Sequence, residues 1–283
     1  MFTINPFSEL SGLISPMTMQ AYVIVMVLLV IGGTVLDMIH KKSAQYFFEN
    51  SKKQQQNATR TVSSGEKASL AVKTVANEVL TSSEFSNPRR RISHLFTMYG
   101  FILFVATTAI MIFGYTGSGV TTPVILPLLW HLGALMLCFG GYWFWFFIRV
   151  DLFSEGKLWY QLARADLFIV SLLSTATFAL IWSFLQSIGV PVAATLFFVL
   201  FISAATVLFG GVLFSKFAHM FFKPAAAFQK RVTKPYCIVE NLPDLGDLTD
   251  PALQEKFPDI PEYMGKNPPN MGQGIKRESP NHY

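Results

Sequence analysis

Between Arg91 and Arg149 the chain reads ISHLFTMYGFILFVATTAIMIFGYTGSGVTTPVILPLLWHLGALMLCFGGYWFWFFI, residues 92–148, without one Asp, Glu, Lys or Arg. A helix that crosses a bilayer needs about 20 apolar residues, because each residue rises 1.5 Å through a hydrocarbon layer about 30 Å thick. These 57 residues hold two such helices. The turn between them falls at Gly114-Tyr-Thr-Gly-Ser-Gly119 and Pro123, where glycine and proline interrupt the apolar run. Working outward, the 27 residues between Glu9 and Asp37 hold one more span. The 49 residues between Asp166 and Lys216 hold two, divided at Ser187-Ile-Gly-Val-Pro191.

The fold class read from this is an all-α integral membrane protein, a bundle of five transmembrane helices. The expected spans are 19–39, 94–115, 123–148, 167–186 and 192–214. Helices are the expected form, since lipid offers no partner to an open backbone N–H or C=O. The alternation with period two that marks a membrane barrel is missing. Only 14% of residues are charged, against about a quarter in soluble domains.

Charge predicts the orientation. With five spans, the amino terminus and the 115–123 and 187–191 turns share one side, and that side carries no Lys or Arg. All 22 lie on the other: ten from Lys41 to Arg91, three from Arg149 to Arg164 and nine from Lys216 onward. By the positive-inside rule the amino terminus is outside and the carboxyl terminus cytoplasmic, in a bacterial inner membrane. Lys41-Lys42 after the first span reads as stop-transfer, not as the end of a signal peptide. The chain divides into a periplasmic amino terminus with the first span (1–39), a cytoplasmic loop (40–93), a four-helix transmembrane region (94–215) and a cytoplasmic Pro-rich tail (216–283). Within the loop, Val72, Val75, Ala76, Val79 and Leu80 recur at helical spacing. They predict an amphipathic helix over 66–80, capped by Ser63 or Ser64, that lies on the bilayer or docks a partner.

Phosphate loops, dinucleotide fingerprints and catalytic triads are lacking, which points to a non-catalytic subunit. Topology already explains the basic residues, so nucleic acid is not an expected partner. Cys138 and Cys237 are too few for a disulfide framework or an iron–sulfur cluster. Cys138 reads as a small packing residue.

Histidine carries the remaining chemistry. His94 opens the second expected span and His219 ends the fifth, both on the basic side. Two imidazoles at one depth on two helices are what a six-coordinate haem b requires. Arg91, Lys216 and Lys223 are placed to pair with its propionates. The plainer reading is two interfacial histidines bonded to headgroups or loop carbonyls. His131, about eight residues into the third span, is either inter-helix glue or a quinone or proton-handling site. The end of that span, Gly140-Gly-Tyr-Trp-Phe-Trp-Phe-Phe147, predicts close helix approach at the glycines. It also predicts an aromatic belt, with Trp143 and Trp145 at headgroup level, where a quinone ring could also stack.

Three stretches carry a family resemblance: Asn87-Pro-Arg-Arg-Arg-Ile-Ser-His-Leu-Phe-Thr-Met-Tyr-Gly-Phe101, Trp130-His-Leu-Gly-Ala134 and Phe214-Ser-Lys-Phe-Ala-His-Met-Phe-Phe-Lys-Pro224. With them, residues 20–232 resemble the membrane-anchor subunit encoded with dissimilatory adenylylsulfate (APS) reductase. The Ser-Lys-Phe-x-His-Met segment is more distantly similar to the cytochrome b subunits of respiratory nitrate reductase and heterodisulfide reductase. The resemblance implies a cytosolic flavin and iron–sulfur partner, the alpha/beta subunits of the reductase, held at the membrane and exchanging electrons with quinone. It also implies that His94 and His219 match the ligands of the cytoplasm-proximal haem. The nitrate-reductase relatives hold a second, outer haem, for which this chain has too few histidines. A haem-free structural dock and a cytochrome b subunit of another respiratory complex are the alternatives. A transporter is disfavoured, because no inverted repeat or broken charged helix is present.

Overall fold

The structure, a computed structural model, describes residues 2–56, 58, 61–83, 85, 87–116, 120–149, 160–163, 166–215, 219–233 and 249–264. Five of its helices are long and apolar enough to cross a membrane: Pro16–His40, Pro88–Gly114, Ile125–Ile148, Leu167–Ser187 and Pro191–Gly210.

A short helix α1 (Pro6–Glu9) precedes α2 (Pro16–Lys41), the first span. Pro16 opens α2, and Ser15 caps it by accepting from the Thr18 amide. Lys42, with φ of 51° in the left-handed region, ends it, so the polar run that follows starts a separate helix α3 (Ser43–Gln56). The loop helix α4 (Ser64–Thr74) is capped by Ser63, whose hydroxyl accepts from Glu66 N at 3.2 Å, and continues as a π-helical stretch, Val75–Leu80. The second span, α5 (Pro88–Gly114), starts earlier than the charge-free stretch predicts. Asn87 caps it and Pro88 sits in its first turn, so Arg89–Arg91 belong to the helix and His94 lies in its second turn.

Next come α6 (Ile125–Trp143), with a π-helical end at Phe144–Ile148, α7 (Leu167–Ser187) and α8 (Pro191–Gly210). The α7–α8 turn uses Gly189 at φ 73°, a conformation most side chains avoid. The fifth span stops at Gly210, short of the expected 214. A 3-10 turn at Val212–Phe214 follows, and His219 is the first residue of a new helix, α9 (His219–Thr233), instead of the last of the span. In the tail, Pro251–Lys256 and Asp259–Met264 form two short helices, α10 and α11.

Small residues set the packing. On α5, Ser93, Gly100 and Thr107 recur every seven positions and are buried; Gly133 and Gly140 do the same on α6. A Cβ on Gly100 would stand 2.8 Å from Gly133 O, and one on Gly140 would stand 2.6 Å from Ser93 O. The two backbones are therefore in contact, and Ser93 Oγ donates to Gly140 O at 2.8 Å. Gly140 thus allows the close backbone approach expected of it, whereas Gly141 makes room for the Leu173 side chain of α7.

The core beside the amino-terminal segment is aromatic. Trp130 stacks on Phe104, Trp182 stacks on Phe201, and the two indoles meet edge to face. Phe7 of the amino-terminal segment closes this cluster, with its ring centroid 5.7 Å from that of Trp130 and 5.3 Å from that of Trp182. Asn5 Nδ2 donates to Tyr115 O and Thr122 Oγ1, and Gln186 Nε2 donates to Pro6 O. Residues 5–10 are thus a plug over the end of the bundle, which composition did not foretell. By contrast α2 leaves much of its apolar surface, including Ile24, Leu28 and Leu36, outside the bundle and facing lipid.

Candidate functional site

His94 enters a polar cluster at the basic end of α5. Its Nδ1 and the Ser82 hydroxyl share a hydrogen bond of 3.0 Å. Ser82 is fully buried and has φ of 48°, a left-handed conformation that a serine rarely keeps without support. Arg91 Nε donates to Thr81 O at 2.7 Å. Residues 81–82 are therefore gripped by two side chains of α5, and the first loop is fixed against the start of the second span.

The Phe85 ring joins this cluster to α9. The His94 ring centroid is 4.9 Å from it, the Arg90 guanidinium carbon 5.2 Å and the Lys223 ammonium 5.3 Å. Lys223 is one helical turn after His219, so the start of α9 lies beside the start of α5. Sequence alone pairs His94 with His219; Ser82 and Phe85, which orient one of them, carry no periodic or motif signal. Lys216 and the His219 side chain lie outside the described residues, as do Arg164, Cys237, His282 and the 117–119 turn. His40 is exposed at the end of α2.

Beyond Met220 an apolar cleft of about 520 Å³ runs between α2, α5 and α8, from Phe209 and Ile31 at the basic end to Phe7 and Ile14 at the other. Its size is in the range of cofactor and ligand sites, about 300–1,000 Å³. The residues fit a haem to this extent. An imidazole that ligates iron through Nε2 needs an orienting bond at Nδ1, and Ser82 supplies one to His94. Tyr22 closes one side of the cleft, its hydroxyl 3.2 Å from Ile202 O and 3.0 Å from Thr206 Oγ1.

His131 has both ring nitrogens engaged. Pro127 O can only accept, so Nδ1 donates to it, at 2.6 Å. The neutral ring then accepts from the Ser183 hydroxyl at Nε2, at 2.8 Å. The residue is fully buried, and it is not one of the described residues in the cleft wall. This is the arrangement of inter-helix glue between α6 and α7.

The aromatic end of α6 divides by face. Tyr142, Phe146 and Phe147 are exposed, but Trp145 is buried under the Arg149 guanidinium, 3.9 Å from its ring centroid. Of the two tryptophans expected in the belt, Trp143 is half-buried and Trp145 is turned toward protein in the π-helical stretch. Arg149 also pairs with both carboxylate oxygens of Asp166, Nε to Oδ1 at 2.8 Å, and donates to Gln161 O. In the sequence Asp166 only delimits a charge-free stretch, and the bond it makes between the third and fourth spans is not legible there. Cys138 is half-buried, its Sγ 3.7 Å from Thr177 Oγ1.

Comparison of the chain with protein-family models, curated proteins and solved structures returns no match.

Proposed function

We propose that this chain is the membrane anchor of a cytosolic adenylylsulfate reductase and passes electrons between that enzyme and the quinone pool. The five apolar spans supply the anchor, and the 22-to-0 distribution of Lys and Arg supports a cytoplasmic face for loop 40–93 and α9 in a bacterial inner membrane. The observation that carries the redox part is the gathering of His94, Arg90 and Lys223 around Phe85, beside the first turn of α9, whose Met220 lines the apolar cleft while His94 itself is not among the described residues of its wall. On this reading His94 and His219 hold one haem b, and Arg91, Lys216 and Lys223 neutralise its propionates. The haem supplies a one-electron relay. Ser82 fixes the His94 ring.

The resemblance noted for residues 87–101, 130–134 and 214–224 selects the reductase as the soluble partner. The test is a reduced-minus-oxidised optical spectrum of the purified complex. A b-type signal lost in both His94→Ala and His219→Ala, with quinone reduction lost too, is expected. Absence of any b-type signal in a complex that still reduces quinone would remove the haem.

A second reading, a haem-free dock, is favoured by one specific observation. His94 and Arg91 both bind residues 81–82 and so already have a use in holding the first loop. It expects His94→Ala to release the reductase from membranes, while a variant at His219 retains it.

A further inference from the structure

The loop helix buries one face and leaves its apolar one uncovered. Leu70 packs on a small cluster with Val62, Phe228 and Val232, Thr74 is 2% exposed, and Glu78 pairs with Arg231 of α9 at 2.6 Å. These three positions, four apart, make the face toward α9. On the other side Val72 is 69% exposed, Val75 51% and Leu80 49%. A helix that served only to support α9 has no reason to carry three large aliphatic side chains there.

What covers them follows from where the helix ends. Tyr99 Oη donates to Leu80 O at 2.7 Å. Tyr99 shares its side of α5 with Phe96 and Ile102, both exposed on a helix long and apolar enough to span a membrane and so facing acyl chains. Tyr99 is eight residues past Arg91, about 12 Å further along the axis. Side chains of a helix lean toward its amino terminus, so the Leu80 carbonyl sits at the edge of the hydrocarbon layer. The exposed stripe is continuous with a lipid-facing surface, and exposed Lys73 flanks it as a headgroup partner.

We propose that residues 64–80 lie flat on the bilayer, with Val72, Val75 and Leu80 inserted at the acyl boundary. This inference does not rest on the redox reading. It places lipid where a docked enzyme would otherwise sit, and leaves α9 and α3 as the surfaces open to a soluble partner.

The test uses the full chain reconstituted alone into phosphatidylethanolamine–phosphatidylglycerol vesicles. Cys138→Ser and Cys237→Ser provide a background, and nitroxide labels are placed singly at Val72→Cys, Val75→Cys, Leu28→Cys and Ser69→Cys. Labels at 72 and 75 are expected to collide with oxygen in preference to a water-soluble nickel complex, as the lipid-facing label at 28 does. The label at 69 is expected to prefer nickel. Nickel preference at 72 and 75 would overturn the proposal by showing that the stripe faces water. Protection from both reagents would also overturn it, by showing a protein cover, a second copy of the chain.

Discussion

His131 Nε2 lies 2.8 Å from the Ser183 hydroxyl, joining the third span to the fourth at a point closed to solvent. Replacing His131 by Phe leaves that hydroxyl without this acceptor and Pro127 O without its side-chain donor. A buried polar group left unpaired costs about 1–3 kcal/mol. Thermal unfolding in detergent should therefore show a lower midpoint for His131→Phe than for Ser183→Ala. The visible spectrum of the complex should be the same for wild type and both variants. A change in a haem signal would give His131 a redox role instead.

Arg149 and Asp166 also cross-link these spans, with side chains 7% and 13% exposed. Breaking a buried pair from one side strands the other charge, at about 3–5 kcal/mol. Arg149→Ala and Asp166→Asn are each expected to destabilise strongly, and Arg149→Met with Asp166→Leu to recover most of the loss. A double-mutant cycle that came out additive would show that the pair does not act as a unit.

The α5–α6 seam has no space for a side chain at its glycines. Gly133→Leu and Gly140→Leu should abolish a monodisperse product in size-exclusion chromatography. Gly32→Leu, which meets nothing within 4 Å, should elute as wild type. The contrast separates backbone contact from a general dislike of bulk in membrane helices.

Orientation is open to direct labelling. A cysteine at Ser118 should react with a membrane-impermeant maleimide added to intact cells, and one at Lys234 only after the cells are opened. The opposite pattern would invert the topology and move the basic surfaces to the outside.

Residues 92–148 show how far sequence reaches. Lipid penalises every charge and every open backbone group, so span number and approximate length are legible from composition alone. Helix starts are less so. Arg89–Arg91 mark the headgroup level, yet the helix runs through them because Asn87 and Pro88 cap it further out. His94 and His131 stand out as histidines in uncharged stretches, but their chemistry does not. The Ser82 hydroxyl reaches His94 through a left-handed turn, and Ser183 reaches His131 from a helix 52 residues away.

By itself, then, the sequence determined a five-span α-helical membrane protein with its positive charge gathered at one end, because solvation free energy acts on each residue wherever it sits in the chain. Tertiary structure alone decided that Phe7 plugs the aromatic core, that Arg149 meets Asp166 and that Phe85 brings His94 and Lys223 together. These contacts depend on which helix faces approach one another. That choice is made by fitting small residues such as Gly100, Gly133 and Gly140 against backbone, a steric match between distant segments that no local pattern encodes.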